Sequence, residues 1–228
     1  WGDGYSIPAP GVSFSESLEG GVKGLKIAWS PDLGYAAVDP DVQAICEQAV
    51  KRFSEMGAEV EKDLAGFDNP DVHLGTLFSA DNLAALSVFE TVEQIADKLN
   101  SLTATMLLLA SELNASDYAK AMFARQELSV KMGKFFQTYD LLLTPTLTEP
   151  APPVELADPV GFLKLGSFTC PFNFTGQPAA SIPAGWTEDD LPVGLQIVGR
   201  AYDEATVFRA AAAFEEAHSW AHRKPSLD

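Results

Sequence analysis

The chain has 228 residues, of which 46% are hydrophobic, and its formal net charge at pH 7 is −17. This length and apolar content predict a globular protein with one large domain, or at most two. A surface this acidic repels phosphate backbones and anionic lipid, so the charge argues against nucleic acid and membrane partners. No apolar run in the sequence is long enough for a membrane span.

The two cysteines, Cys46 and Cys170, are far apart and no CxxC motif is present. This pattern argues against a disulfide framework or a zinc site, and it favours a reducing compartment such as the cytoplasm. Cys170 lies in an apolar stretch, precedes a proline and has no predicted helix start directly behind it. These features indicate a buried structural thiol rather than a nucleophile.

Residues 1–24 are rich in Gly, Ser and Pro, show no hydrophobic period and are interpreted as a loop or linker. The apolar run at 25–30 predicts a buried strand. Asp39, which precedes a proline, predicts a helix start, and Gly57 predicts the end of that helix. Residues 58–64 predict another strand, so this part of the chain is expected to form a βαβ unit with parallel strands.

The middle of the chain is predicted to be mainly helical. Residues 74–113 follow a helical pattern, and Asn114 marks a break. A second apolar stripe predicts a helix over 116–139, with Ser116 or Asp117 as its N-cap.

The last third predicts three more strands and a final helix. The strand candidates lie at 140–145, 179–185 and 192–200, and the helix at 203–220. The Pro-rich segment 148–161 is predicted to be extended, because proline interrupts both helices and central strands. The expected fold class is therefore α/β, with about five strands, several of which need helices on both faces.

The stretch PFNFTGQPAASIPAG, at 171–185, combines prolines and glycines with an apolar run. We interpret it as the approach to a strand. Gly176 is expected to have a positive φ, and Pro178 is expected to keep the preceding residue extended.

Metal and cofactor chemistry has little support in the sequence. His218 and His222 are four residues apart near Glu215, which is a possible metal-binding spacing. HExxH is absent and no third ligand is clear, so a solvated helix end is the preferred interpretation. Walker, Rossmann and G-x-S-x-G motifs are also absent, and we predict neither a metal nor a cofactor.

Several segments together resemble the amidase signature family, whose members hydrolyse amides with a Ser, cis-Ser and Lys arrangement. They are PFNFTGQPAASIPAG, LPVGLQIVGR, YDLLLTPTLTEPAPP and the βαβ unit that begins LKIAWSPDLGY. The resemblance implies that this chain forms part of a large mixed sheet flanked by helices. It also implies a small-molecule amide as the substrate.

The resemblance places the catalytic lysine and the Gly/Ser-rich nucleophile segment before everything seen in this chain. It therefore implies that 25–228 is the C-terminal half of a single amidase-type domain whose catalytic N-terminal half is absent. The chain alone is expected to be inactive, with no catalytic residue of its own, and Ser181 is not expected to be a nucleophile. We also expect an exposed apolar face where the missing half would dock, with homo-oligomers as a possible consequence.

The family pattern Thr-x-Pro-x-Asn corresponds to Thr169, Pro171 and Asn173. The resemblance implies that Phe168, Thr169 and Phe172 are substrate-binding residues in the wall of the acyl pocket. The alternative is that these three residues simply fill the core.

Two other functions stay open. One is a component similar to the A subunit of tRNA-dependent amidotransferases, in which an acidic residue three positions before this Thr holds the amine of the substrate glutamine. Gly166 occupies that position here, which favours a neutral or apolar acyl group instead. The other is a non-catalytic subunit kept for assembly or ligand binding.

Overall fold

The computed structural model describes residues 11–86, 98–153 and 166–223, with the single residues 6, 9, 91 and 94. These residues form an α/β structure with a five-stranded sheet. The strands are β1 (Lys26–Trp29), β2 (Glu59–Lys62), β3 (Leu141–Pro145), β4 (Ala179–Trp186) and β5 (Pro192–Gly199). The α-helices are α1 (Pro40–Glu55), α2 (Asp71–Leu86), α3 (Ser101–Ala110), α4 (Ala115–Phe135), α5 (Cys170–Thr175) and α6 (Glu204–Ala217).

The strand order is β2-β1-β3-β5-β4. β1 pairs in parallel with β2 and with β3, whereas β5 is antiparallel to both β3 and β4. The predicted α/β class, strand number and mixed sheet are therefore confirmed. At the ends of the sheet, β2 and β4 each have one edge without a neighbouring strand among the described residues.

The predicted βαβ unit is confirmed in detail. The Asp39 carboxylate accepts hydrogen bonds from the backbone N–H groups of Asp41 and Val42, which caps α1. Gly57, just beyond the end of α1, has a φ of +93°, a conformation that favours glycine. The chain then enters β2 alongside β1, with Glu59 opposite Lys26.

The first face of the sheet is covered by α1 and α6. Its core is apolar and includes Ile27, Leu143 and Leu195 from the strands. Phe53 of α1 and Phe214 of α6 stack on each other, with ring centroids 5.3 Å apart. Apolar strand residues face this side at alternate positions, because successive side chains of a strand point to opposite faces of the sheet.

The second face is covered by α4, α5 and the loop after β1. Ala28, Leu142 and Val198 pack there with helix residues such as Met132 and Phe172. Toward β4, and at the C-terminal end of β3, this face instead carries hydroxyl, amide and glycine residues. Gln196, in this polar part, donates a hydrogen bond to the Phe168 carbonyl just before α5.

The helix ends differ in places from the prediction. Asn114 is the N-cap of α4 and forms a capping box with Asp117, so the prediction of Ser116 or Asp117 as the N-cap is wrong. The Asn114 side chain reaches the first free N–H groups of the helix, whereas Ser116 already lies inside it. The last helix begins after its Asp203 cap and ends at Ala217, three residues before the predicted end.

The described part of the N-terminal segment packs against α6. It contains one short 3-10 turn, Glu16–Leu18, and the Phe14 ring lies 5.5 Å from the ring of Phe208. Most of the Pro-rich segment predicted to be extended, residues 154–161, lies outside the described residues. Among the described helices, none combines the length and the apolar composition needed to cross a membrane.

Candidate functional site

The segment from Gly166 to Gly176 lies over the second face of the sheet. It begins with a 3-10 turn, Gly166–Phe168, and continues as α5. Gly176 follows with a φ of +80°, which confirms the predicted positive φ. The prediction that the stretch 171–185 merely approaches a strand is wrong for residues 171–175, which lie in a helix that begins at Cys170. Six residues span less than two turns, so their apolar spacing gives no helical period to detect.

The Thr-x-Pro-x-Asn pattern shapes this turn and helix. Thr169 donates hydrogen bonds to the Gly166 carbonyl from its backbone N–H, at 2.9 Å, and from its hydroxyl, at 3.1 Å. Pro171 occupies the first turn of α5, where a backbone N–H is not needed. The Asn173 side-chain amide donates to the Thr169 carbonyl at 2.9 Å. Each residue of the pattern therefore fixes the local backbone.

Two distant side chains hold the turn to the rest of the fold. The Tyr35 hydroxyl, in the loop after β1, donates to the Ser167 carbonyl at 2.9 Å. The Gln196 side-chain amide, on β5, donates to the Phe168 carbonyl and to the Thr144 hydroxyl, each at 2.9 Å. Gln196 and Thr144 are buried, so these bonds satisfy polar groups that water does not reach.

Neither Tyr35 nor Gln196 was predicted to be part of this site. Gln196 had a usable signal, because it is the one amide in the apolar run of β5 and a buried amide needs partners. Tyr35 had none, since its contact with Ser167 joins residues that are 132 positions apart.

The three predicted substrate-binding residues lie together in this segment but differ in exposure. Phe168 and Phe172 are 0% and 2% exposed and belong to the core of the second face. Thr169 is half-buried, so part of this residue is accessible. Their role in substrate binding stays a prediction.

Cys170 is half-buried rather than fully buried as predicted, and it lies beside Asp71, the first residue of α2. Burial raises the pKa of the Cys170 thiol to about 11, helped by the charge of the Asp71 carboxylate and a hydrogen bond to it. Burial also raises the pKa of Tyr35 well above its ordinary value, with Asp71 and Cys170 as further causes. A thiol with this pKa stays protonated at neutral pH, which is unfavourable for a nucleophile.

A second polar feature lies on the same face, where β3, β5 and β4 are adjacent. The hydroxyls of Thr146 and Ser181 are 2.7 Å apart across Gly194. A Cβ at Gly194 would lie 2.7 Å from each of these oxygens, so the close approach requires glycine. A cavity of about 390 Å³ is lined by all three residues and by neighbouring prolines, including Pro150 and Pro183.

His218, His222 and Glu215 have a sequence spacing that could hold a metal. Within the described ranges, which contain all three residues, no group of three or more His, Cys, Asp or Glu side chains is arranged to hold a metal ion.

Comparison with known proteins gives the family. The Amidase family model matches residues 2–208. The chain belongs to the amidase family. It is 33% identical to an acylamidase of Rhodococcus erythropolis over 98% of this chain, and 33% identical to a glutamyl-tRNA(Gln) amidotransferase A subunit of Lactiplantibacillus plantarum over 90% of it.

Solved structures of the amidase family agree with the fold described above. A bacterial aryl acylamidase of the amidase signature family matches 92% of this chain with a TM-score of 0.79 and 25% identity. The structure of 6-aminohexanoate cyclic dimer hydrolase matches 99% of it with a TM-score of 0.84, at 22% identity, and so supports the fold alone.

The amidase-family chain is short compared with these relatives. It covers 49% of the acylamidase, 47% of the amidotransferase protein and 46% of the aryl acylamidase chain. The chain therefore spans about half the length of the relatives it matches.

Proposed function

We propose that this chain is the substrate-pocket half of an amidase that hydrolyses the C–N bond of a carboxylic amide. The serine nucleophile, the cis-Ser and the Lys relay would come from the half of the amidase fold that this chain does not match. That half would also supply the donors that stabilise the oxyanion. In this proposal the present chain is inactive alone and needs that other half as its partner.

The proposal rests on the turn that contains Thr169, because hydrogen bonds from several side chains hold this turn in place. Hydrogen bonds from Tyr35 and Gln196 hold two successive carbonyls of the turn, and Asn173 holds a third. Substrate-positioning groups need this kind of support, because small displacements cost large factors in rate. The 33% identity with an acylamidase over nearly the whole chain adds support from outside the structure.

In the substrate pocket that the two halves would form, we propose that Thr169 contacts the substrate and that Phe168 and Phe172 form the apolar layer beneath it. Thr169 is the accessible member of the three, and the two phenylalanine rings are buried. No charged side chain is present at position 166, where Gly166 begins the turn. The absence of a charged side chain at this one position favours a neutral or apolar acyl group.

The amidotransferase alternative rests on the identity with A subunits and is weakened by Gly166 and by the acidic surface. A non-catalytic subunit for assembly or ligand binding is the other alternative. Both cysteines, Cys46 and Cys170, are free thiols, which supports the cytoplasm as the proposed compartment.

The test combines this chain with a separately expressed polypeptide that carries the unmatched half of the Rhodococcus acylamidase. We expect hydrolysis of an aryl amide by the mixture and none by either part. In the mixture, Thr169→Val should raise KM several-fold with a smaller change in kcat, because it removes a binding contact. The matched control is Thr105→Val at an exposed position on α3, which should leave both constants unchanged.

Hydrolysis by the mixture with an unchanged KM in Thr169→Val would contradict the assignment of this residue. A complex that forms without any hydrolysis of amides would favour the non-catalytic alternative.

A further inference from the structure

A pair of hydroxyl groups lies at the end of the sheet where β3, β5 and β4 are adjacent. The Thr146 and Ser181 hydroxyl oxygens are 2.7 Å apart, and either of them can be the donor. Two hydroxyls carry two hydrogens and this contact uses one, so the second hydrogen needs another acceptor. Within the described part of the chain, no such acceptor is present. The pair can therefore donate one hydrogen bond to a ligand and accept others.

The cavity beside this pair is mostly apolar. It has a volume of about 390 Å³ and is lined by both hydroxyl residues and by Gly194, whose missing Cβ leaves the two hydroxyls in contact. Prolines have no N–H to donate, and three of them line the cavity: Pro150, Pro183 and Pro192. Small-molecule sites typically combine such apolar walls with a few polar groups that fix the orientation of the ligand. In this cavity the hydroxyl pair is suited to that task.

The lining of the cavity carries little charge. Of the described residues that line it, only Glu149 is charged, and Glu149 is exposed. Water and salt screen an exposed carboxylate, so it compensates poorly for the desolvation of a bound cation. An alkylamine is protonated at neutral pH, as the lysine side chain is, whereas an aromatic amine is uncharged because its lone pair is delocalised into the ring. The cavity therefore suits an uncharged ligand.

The cavity lies near the turn that contains Thr169. Ser181 is directly opposite Gln196 in the β4–β5 pair, and residues in this arrangement point to the same face of the sheet. The Gln196 side chain donates to the Phe168 carbonyl at 2.9 Å, one residue before Thr169. Gln196 thus links the turn to the strand position beside the hydroxyl pair, which places the turn and the cavity for two parts of one substrate.

We propose that this cavity binds the amine part of the amide substrate, and that this part is an uncharged aromatic amine. This inference rests on the proposed function, because it takes the chain to be part of an amidase in which Thr169 contacts the acyl part. The aromatic ring would pack against the apolar walls. Its nitrogen would exchange hydrogen bonds with the hydroxyls of Thr146 and Ser181.

The first experiment titrates the isolated chain with aniline and follows the backbone amide shifts by NMR. We expect saturable shifts at Thr146, Ser181 and Gly194, with a Kd on the order of 1 mM for a ligand of so few atoms. Toluene has the same shape without the nitrogen and should bind about 10-fold more weakly, and so should the charged cyclohexylamine. Tighter binding of cyclohexylamine than of aniline would overturn the proposal, as would shifts that leave these three residues unchanged.

The matched variant combines Thr146→Val with Ser181→Ala, which removes both hydroxyls and keeps nearly the same shape. It should bind aniline about 10-fold more weakly and toluene as before. The control Thr105→Val, at an exposed position on α3, should bind both as the unmodified chain does. Ser181→Ala alone changes an exposed residue and serves as the second variant if the double one does not fold, with an expected loss of about 3-fold for aniline. Unchanged aniline affinity in the folded variant would overturn the proposal.

The second experiment uses the mixture with the unmatched half of the Rhodococcus acylamidase and compares acetanilide with acetamide, which have the same acyl group. The double variant should raise KM several-fold for acetanilide and leave it unchanged for acetamide. Equal increases for both amides, or hydrolysis with an unchanged KM for acetanilide, would overturn this subsite and leave the proposed function standing. Saturable aniline binding by a chain whose mixture hydrolyses no amide would support the cavity as an amine site and contradict the proposed function.

Discussion

The two faces of the sheet are built from different kinds of residues. The first face, under α1 and α6, is apolar along every strand that contributes to it. The second face is apolar around β1 but carries Thr144, Gln196, Thr146 and Ser181 nearer to β4. Buried amides and hydroxyls cost stability unless they are paired, and the bonds of Gln196 lead to the turn at Gly166–Phe168. The first face therefore stabilises the fold, and the second face positions the candidate site.

The largest expected effect is on the first face. Phe53→Ala removes a fully buried ring that stacks on Phe214 and should cost about 3–5 kcal/mol of unfolding free energy. Urea unfolding measures this loss. The control is Val130→Ala, at an exposed position on α4, which should stay within about 0.5 kcal/mol. A loss below about 1 kcal/mol for Phe53→Ala would show that the first face is not the stabilising core.

A smaller effect is expected from the polar network of the second face. Gln196→Leu leaves the buried Phe168 carbonyl without its donor and should cost about 1–3 kcal/mol. The control is Gln43→Leu on α1, whose amide contacts Glu47 in a part-buried position and whose loss should cost about 0.5 kcal/mol or less.

If Gln196 holds the turn of the candidate site, the Gln196→Leu variant should change the structure only near that turn. Its NMR amide shifts should change around residues 166–170 and remain as they were in α6 on the first face. Equal changes on both faces would contradict the separation of roles between them.

The third prediction concerns Cys170 and has the smallest effect on the fold. Its pKa of about 11, against an ordinary value of 9, should lower the thiolate fraction at pH 8 by about 100-fold and slow alkylation by a similar factor. Because the folded pKa is above the unfolded one, the stability linked to this thiol is present below pH 9 and is lost as the pH rises toward 11.

The measurement for Cys170 is the pH dependence of its alkylation in a Cys46→Ala background. Cys46 is a more deeply buried thiol with a pKa of about 12, and its removal leaves a single reactive group. A midpoint at or below pH 9 would contradict the described surroundings of Cys170.

Much of the fold could be predicted because its signals are local. Apolar runs predicted the strands, and Asp39 and Gly57 predicted the limits of α1. The short helix α5 gave no such signal, since six residues cannot show a helical period. The cap of α4 was misplaced because Asn114, Ser116 and Asp117 are all good capping residues, and only the geometry of the first turn decides among them.

The site could be predicted in part. The family resemblance led to Phe168, Thr169 and Phe172, and the structure places these residues on one turn and helix. The resemblance did not reveal the two side chains that hold this turn. Tyr35 and Gln196 donate hydrogen bonds to it from distant parts of the sequence. Hydrogen bonds between residues far apart in the chain depend on the assembled sheet, which no local pattern encodes.

We propose that this chain shapes a substrate pocket but contains no activated serine. A serine-directed fluorophosphonate tests it directly, with labelled peptides located by mass spectrometry. We expect no labelling of the isolated chain above that of the denatured chain, and labelling of the other polypeptide when the two halves are mixed. Labelling of any serine in this chain, Ser181 included, at a rate above that of the denatured protein would contradict the claim.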